Sequence, residues 1–326
     1  METEILQPTD LNIMRCASQL KAGELVAFPT ETVYALGAIA TDANAVSKVY
    51  DVKKRPTDKA LIVAVAKKSD IQKVVKSIPQ KAQALIDKFM PGALTLVLDR
   101  ADIIPDNVTA GSSSVAVRIP DNEVAKKLIE LAGAPVVVPS ANTADKASPT
   151  LASHVKDDLD GKIRYILDGG ASDIGIESTI VDARTDPPTV LRAGGVTIKQ
   201  LKSVIGEVVS RREDARLGKY MPNAEVLFSA FYDGMTDNIC SRYDEIVKSG
   251  KSAVIICLNG NRKKYGERKV FTVGDGYKDY AHNLFAMLRR ADSEHYDAVI
   301  AEGVNPEGLG ESLVARLIKL SGGMII

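Results

Sequence analysis

The sequence predicts an α/β protein built from two domains. Short apolar segments with strand composition alternate with segments whose apolar residues recur at helical spacing. This alternation stops once, at residues 209–224, where a charged stretch containing Gly218 and Pro222 lacks apolar periodicity. We therefore expect a first domain over residues 1–208, a linker over residues 209–224 and a second α/β domain over residues 225–326.

The first domain should begin with a helix over residues 9–22, because Ile13, Ala17 and Leu20 recur at helical spacing and Gly23 follows as a stop signal. Further helices are predicted near residues 42–52, 79–89, 121–132 and 197–205. Strands are predicted at residues 24–28, 61–66, 94–98, 115–119, 135–138, 164–167 and 178–183. The segment PTETVYALG, residues 29–37, is expected to form the loop after the first strand.

The second domain repeats the alternation on a smaller scale. Strands are predicted in the segments EVLFSA, SAVIIC, KVFTV and DAVIA, with helices near residues 235–249, 278–291 and 310–321. Strands separated by helices pair in parallel, so we expect a small, mostly parallel sheet.

Composition indicates an intracellular protein. Hydrophobic residues make up 45% and charged residues 26%, and the net charge is zero, so any affinity for phosphate or nucleic acid must come from a local patch. Three cysteines without paired spacing favour reduced thiols in the cytoplasm. The sequence shows neither an apolar run of about 18 residues nor a signal peptide, which predicts a cytoplasmic protein without a membrane span.

Several common catalytic motifs are missing from the sequence. It contains no GxxxxGK[ST] phosphate loop, no GxGxxG after a strand, no GxSxG elbow and no HExxH. The three histidines are scattered, with no cysteine or carboxylate at ligand spacing. We therefore expect no protein-bound metal and no hydrolase with a serine or cysteine nucleophile.

Two polar loops near the N-terminus are candidates for ligand binding. Residues 29–34, PTETVY, follow a strand at the position where open α/β sheets bind ligands, although threonines that cap a helix would explain them equally well. Residues 53–59, KKRPTDK, concentrate cations that could clamp a triphosphate. A solvated basic loop is the alternative for the second segment.

Two later regions carry weaker signals of the same kind. The segments PSAN (139–142) and SPT (148–150) offer hydroxyl and amide groups suited to phosphate, but SPT also fits a helix cap followed by proline at the first helical position. The segments DGG (168–170), GIEST (175–179) and LRAGG (191–195) contain glycines. These glycines either allow the backbone to approach a ligand closely or form tight turns.

Taken together and in order, these segments resemble the YrdC-type threonylcarbamoyl-AMP synthase family. The matching segments, over about residues 24–200, are PTETVYALG, KKRPTDKALIV, PGALTLVL, VAVRIP, PSANTADKASPT, DGG, GIESTIVD and LRAGG. The second domain, with PEGLGESLVARL near its end, resembles the C-terminal domain of the family's long form. The resemblance implies a twisted mixed-sheet YrdC-like N-terminal domain and a small Rossmann-like α/β C-terminal domain.

The resemblance also implies the activity of an L-threonylcarbamoyladenylate synthase, a nucleotidyltransferase. Such an enzyme makes threonylcarbamoyl-AMP and pyrophosphate from L-threonine, bicarbonate or CO2, and ATP, with Mg2+ carried on the nucleotide. The product would pass to a downstream tRNA threonylcarbamoyl transferase, for the adenosine next to the anticodon in tRNAs that read codons beginning with A. Weak tRNA binding would accompany this role.

The resemblance assigns roles to particular residues. The residues implied for threonine are Thr32, Arg118 and Ser178, and those implied for ATP are Arg55, Lys59, Ser114, Ser140, Asn142, Ser148, Arg192 and Tyr220; Lys53 and Arg55 are implied to be catalytic. Arg118 is expected to bind the threonine carboxylate as a bidentate pair. The chain departs from the family at Ala35, usually glycine, and at Ala64, commonly a histidine that helps bind threonine.

Two other functions compete with this prediction. A non-catalytic RNA-binding module could use the basic loop 53–59 to follow phosphates, although the absence of Trp and an aromatic content of 5% argue against base stacking. A carbamoyl-transfer or hydrogenase-maturation role is the third hypothesis. Proteins of that kind usually carry acylphosphatase-like or zinc-finger segments, and nothing in this sequence resembles either.

Overall fold

The computed structural model describes residues 2–144, 146–210 and 223–326, and the chain forms two compact units. Within the described residues, the first unit contains residues 2–144, 148–173 and 177–210. The second contains residues 146–147, 174–176 and 223–326. Most of the predicted linker, including Tyr220 and Pro222, lies outside the described residues, so its boundaries stay a prediction.

The first unit contains strands and helices in alternation, as the sequence predicts. Its strands are β1 Glu4–Leu6, β2 Val26–Phe28, β3 Ala35–Ile39, β4 Ile62–Ala64, β5 Leu94–Asp99, β6 Ser114–Arg118, β7 Val136–Val137, β8 Tyr165–Leu167, β9 Thr179–Asp182, β10 Thr189–Arg192 and β11 Val209–Ser210. Its α-helices are α1 Asp10–Lys21, α2 Ala43–Lys53, α3 Gln80–Phe89, α4 Asp106–Thr109, α5 Glu123–Ala132, α6 Ala152–Leu159 and α7 Ile198–Ile205. A 3-10 helix covers Lys68–Lys73.

These strands form one mixed sheet in the order β1-β8-β2-β3-β7-β4-β6-β5-β9-β10-β11. The strands β2, β3, β7 and β4 pair antiparallel in succession, whereas β4 pairs parallel with β6. Consequently β2 and β7 run opposite to β4 and β6. The sheet is therefore mixed, in agreement with the expected fold class. The expectation that residues 29–37 are all loop is wrong, because Ala35–Ile39 is strand β3, antiparallel to β2.

The sheet buries an apolar core on each face. Successive residues of a strand point to opposite faces, so Val26 and Phe28 enter one cluster and Ala27 enters the other. Helix α1 adds Leu20 to the first cluster, and α2 adds Val46 to the second. Because both faces carry helices, the strands read as continuous apolar runs in the sequence.

The two ends of helix α2 are well defined, and its C-terminal end determines where the basic loop begins. Asp42 caps α2 by accepting hydrogen bonds from the backbone N–H groups of Asn44 and Ala45. The helix ends at Lys53, and Lys54 takes the left-handed conformation with φ of 50°. The chain therefore turns sharply after Lys53 and enters the basic loop.

The second unit is a small parallel α/β fold. Its elements are β12 Glu225–Ser229, α8 Met235–Lys248, β13 Ala253–Cys257, β14 Val270–Thr272, α9 Tyr277–Ser293, β15 Ala298–Glu302 and α10 Leu309–Leu320, with a 3-10 helix over Asn259–Tyr265. The strand order is β12-β15-β13-β14, and every pairing is parallel. The predicted small parallel sheet is confirmed. Within the described ranges, none of the helices combines the length and apolar character that crossing a bilayer requires.

Candidate active site

A cavity of about 260 Å³ in the first unit gathers residues from distant segments of the chain. Six of the predicted site residues line it, namely Thr32, Arg55, Arg118, Ser140, Ser178 and Arg192. Ile62 of β4 and Ile180 of β9 also line it, so the cavity extends over the strands themselves. Because β2 and β7 run opposite to β6, these side chains do not share one carboxyl edge of the sheet.

Thr30 folds the loop that presents Thr32 to the cavity. Its hydroxyl donates to Val33 O at 2.6 Å and accepts from the backbone N–H groups of Thr32 and Val33 at 3.2 and 3.3 Å. The next element is strand β3, so the interpretation of these threonines as helix caps is wrong. The loop is a turn held by its own hydroxyl.

Arg118 already makes two contacts with this loop. Its Nη2 donates to Glu31 Oε1 at 2.5 Å, and its Nη1 donates to Thr32 Oγ1 at 3.1 Å. The Glu31 and Arg118 side chains are both almost completely buried. The predicted partner of the threonine carboxylate is therefore held in place by a neighbour 87 residues away in sequence.

A second hydrogen-bonded group connects Ser178 to Arg192. Arg192 Nε donates to Ser178 O at 3.0 Å, and its Nη2 donates to Ser178 Oγ at 3.1 Å. The Ser178 hydroxyl also lies 2.8 Å from the buried Thr95 hydroxyl. A residue predicted for ATP thus contacts a residue predicted for threonine.

Most residues of the basic loop are exposed, but the Arg55 side chain is hydrogen-bonded to the backbone of the loop. Arg55 Nε donates to Lys59 O at 3.2 Å, and Arg55 Nη2 donates to Ala60 O at 3.0 Å. These bonds hold the guanidinium against its own loop while it lines the cavity. Burial lowers the pKa of Arg55 below its usual value.

Lys53 is buried and ties two segments together. Its Nζ donates to the backbone carbonyl of Ser140 and, at 2.6 Å, to that of Asn142. Burial lowers the pKa of Lys53 to about 7; the positive charge of Arg55 adds to this effect, and Asp158 opposes it. Its Nζ holds the PSAN loop through these two bonds, and Lys53 is not part of the cavity lining.

The structure shows that Ser148 of the segment SPT is not a helix cap. Helix α6 begins at Ala152 with Leu151 as its N-cap, so Ser148 does not cap it. The Ser148 hydroxyl instead donates to Glu177 Oε1 at 2.8 Å, and Glu177 lines the cavity. Ser148 therefore contacts the site through Glu177.

Three more predicted ATP residues that the structure describes, Lys59, Asn142 and Ser114, are not part of the cavity lining. Lys59 contributes its backbone carbonyl to Arg55, and Asn142 Nδ2 donates to Thr143 O at 2.8 Å. Ser114 begins β6, at the far end of that strand from Arg118, and its hydroxyl lies 2.9 Å from that of Ser112. Tyr220 lies outside the described residues.

The glycine-rich segments serve the packing of the backbone. A Cβ on Gly169 would lie 2.6 Å from Pro29 Cγ. Gly170 has φ of 82°, and its carbonyl oxygen accepts a hydrogen bond from the Tyr34 hydroxyl at 2.7 Å. Burial raises the pKa of Tyr34, and the neighbouring Asp168 carboxylate raises it further. Gly194 brings its segment against the backbone of residues 177–179.

The two alanine departures occupy ordinary strand positions. Ala35 begins β3 and forms a bridge with Ser140 without a positive φ, so glycine's freedom is not required there. Ala64 is fully buried in β4 and pairs in register with Arg118.

Sequence analysis missed three residues that the structure places at the site: Glu31, Thr95 and Glu177. Thr95 had a usable signal, because it is the one hydroxyl in the apolar strand segment LTLVL. Glu31 and Glu177 lie within quoted motifs, but nothing local indicates that their partners are Arg118 and Ser148.

The fold and the cavity define a mixed α/β protein with a polar, arginine-lined site in its first unit. The Sua5/yciO/yrdC family, described as "Telomere recombination", matches residues 18–194. The Sua5 family described as "Threonylcarbamoyl-AMP synthase, C-terminal domain" matches residues 196–322. The chain therefore belongs to the Sua5/YrdC family and has the long form with a C-terminal domain.

Relatives with known names match this chain over nearly its whole length. A threonylcarbamoyl-AMP synthase from Pyrococcus abyssi is 40% identical and covers 95% of this chain and 94% of its own. The protein of the same name from Bacillus subtilis is 37% identical and covers 99% and 97%. The crystal structure of P. abyssi Sua5 complexed with L-threonine has a TM-score of 0.94, is 38% identical and covers 99% of both chains.

Proposed function

We propose that this protein makes threonylcarbamoyl-AMP and pyrophosphate from L-threonine, bicarbonate and ATP. The observation that carries the proposal is the single cavity, in which residues predicted for threonine and residues predicted for ATP lie side by side. The names of the full-length relatives support the same activity. We do not favour the RNA-binding alternative, because following phosphates does not require Thr32 and Ser178 to line one cavity with the arginines.

The proposed chemistry needs no nucleophile from the protein. Bicarbonate takes up a proton and loses water to give CO2, and the threonine amine adds to CO2 to give a carbamate and a proton. A carbamate oxygen then attacks the α-phosphorus of ATP. The bond from that phosphorus to the bridging oxygen breaks, and pyrophosphate leaves. The protein's contribution is to position both substrates and to balance the negative charge that they bring together.

In the proposal, different arginines bind the two substrates. Arg55 and Arg192 face the phosphates, and Mg2+ enters with the nucleotide as its complex. Arg118 binds the threonine carboxylate beside Thr32 and Ser178. Lys53 acts by positioning, because its contacts hold the PSAN loop.

The proposal extends to the cellular setting. The product is a mixed anhydride that must be passed on, so a downstream tRNA threonylcarbamoyl transferase is its expected recipient, and weak tRNA binding belongs to the same proposal. We propose that the reaction takes place in the cytoplasm, where ATP and tRNA are both present. We propose residues 1–208 as the catalytic domain and residues 225–326 as the second domain, joined by the linker.

The test measures pyrophosphate release by the purified protein with MgATP. Release should require both threonine and bicarbonate, and mass spectrometry should detect threonylcarbamoyl-AMP. Release that continues without threonine, or no release with all three substrates present, would argue against the proposed reaction.

Two arginine variants test which arginine binds ATP and which binds threonine. Arg55→Ala should weaken ATP binding about tenfold or more with threonine binding nearly intact, because a hydrogen-bonded charge contributes about 1.5–3 kcal/mol. Arg118→Ala should raise the threonine requirement by a similar factor and leave ATP binding nearly intact. Parent-like ATP affinity in the first variant, or parent-like threonine affinity in the second, would contradict the assignment.

A further inference from the structure

Glu31 and Arg118 form a buried ion pair next to Thr32, in the part of the cavity predicted to bind threonine. Glu31 is 4% exposed and Arg118 is 5% exposed, and their atoms Oε1 and Nη2 lie 2.5 Å apart. Among the described residues, Glu31 Oε2 and Arg118 Nε have no hydrogen-bond partner. Arg118 lines the cavity, whereas Glu31 is not part of its lining.

This arrangement is poorly explained as a device for stability. Removing two charges from water costs about as much as their attraction returns, and well-packed apolar residues often replace such pairs without loss. Buried polar atoms without partners add to the cost. The pair lies beside the cavity, so a role in ligand binding accounts for the cost better than folding does.

The geometry indicates what the pair does for Arg118. An arginine side chain has many rotamers, and binding a planar carboxylate with two parallel bonds requires one of them. Glu31 and Thr32 each accept one of the five N–H donors of Arg118. The remaining donors are held in a single orientation for a ligand.

We propose that Glu31 is a positioning residue, which orients Arg118 for the carboxylate of the amino-acid substrate; this rests on the proposed function. Glu31 itself does not touch the substrate. Its effect should therefore fall on threonine binding, should leave ATP binding unchanged and should require the presence of Arg118.

The first experiment compares threonine and ATP binding by calorimetry in the parent and two variants. Glu31→Ala should weaken threonine binding at least tenfold, and Glu31→Gln should weaken it by a smaller factor of about three, because the amide oxygen still accepts from Arg118. ATP affinity should change less than twofold. Glu24→Gln, which removes the negative charge from the exposed pair with Lys48, is the matched control and should change neither affinity.

The second experiment tests whether Glu31 acts through Arg118. In an Arg118→Met background, Glu31→Gln should cause no further loss of threonine binding. The same loss in both backgrounds would overturn the proposal, as would parent-like threonine affinity in Glu31→Gln. If Glu31→Ala does not fold, the glutamine variants alone carry the test, with thermal melting as the check on folding.

Failure of this inference can be told apart from failure of the proposed function. A parent protein that neither binds threonine nor releases pyrophosphate with it refutes the proposed function. A parent with threonine-dependent release, together with Glu31 variants of unchanged threonine affinity, refutes only the role of Glu31.

Discussion

Gly194 provides a sharp test of how the site is built. A Cβ at this position would lie 2.2 Å from Glu177 O and 2.5 Å from both Ser178 C and Thr179 N. These neighbours are backbone atoms, which cannot rotate away. To reach an ordinary contact of 3.4 Å, the two segments must separate by about 1.2 Å.

That separation would act directly on the hydrogen bonds of the cavity wall. Arg192 contacts Ser178 through bonds of 3.0 and 3.1 Å, and Gly195 N donates to Glu177 O at 3.2 Å. A shift of 1.2 Å takes such bonds beyond useful length. We expect Gly194→Ala to lower the free energy of unfolding by about 1–3 kcal/mol. Pyrophosphate release should fall about 100-fold, because misplacing a reacting group by about 1 Å has that effect.

The assay combines threonine-dependent pyrophosphate release with urea unfolding. Gly260→Ala is the control, because a Cβ there meets nothing within 4 Å and this glycine does not have a positive φ. The control should keep the parent's rate and stability. A Gly194→Ala protein with parent-like pyrophosphate release would refute the view that close backbone packing sets the position of Arg192.

Two further variants test buried polar contacts. The pKa of Lys53 is lowered to about 7, below its unfolded value of 10.5, so its stabilising contribution is complete above 10.5 and disappears as the pH falls to 7. We therefore expect the difference in free energy of unfolding, parent minus Lys53→Met, to rise between pH 7 and pH 10, with a limiting slope of about 1.4 kcal/mol per pH unit. Urea unfolding measures this difference, and a difference that does not change with pH would contradict the prediction. Tyr34→Phe removes the hydroxyl that bonds to Gly170 O and Asp168 Oδ1. It should lower the free energy of unfolding by about 1–2 kcal/mol in the same measurement, whereas an unchanged free energy would show that these two bonds contribute nothing to stability.

Local signals in the sequence predicted most elements of the first unit, but they did not predict the short elements β1, β3, β10, β11, α4 and α6. Apolar periodicity located helix α5 and strand β5 within two residues, because these patterns depend on neighbours in the chain. Strand β3 was missed because PTETVYALG carries polar residues before its strand portion. The antiparallel pairing of β3 with β2 and β7 decides its conformation, and no local pattern encodes that pairing.

For the candidate site too, the sequence predicted some features and only the folded chain revealed others. The sequence supplied the arginines and hydroxyls of the cavity, since their types are suited to phosphate and carboxylate. It also suggested that Ser148 caps a helix, and only the folded chain shows its bond to Glu177. The roles of the individual residues stay predictions until the variants are measured.

The sequence by itself determined the α/β class, the two-domain pattern and the residue types available for binding, because these follow from composition and from periodicity along the chain. Only the tertiary structure decided that Glu31 meets Arg118, that Lys53 bonds to the PSAN loop, and that the candidate site extends over a mixed sheet. The physical reason is distance along the chain: Glu31 and Arg118 are separated by 87 residues, and their contact exists only after the strands between them have paired.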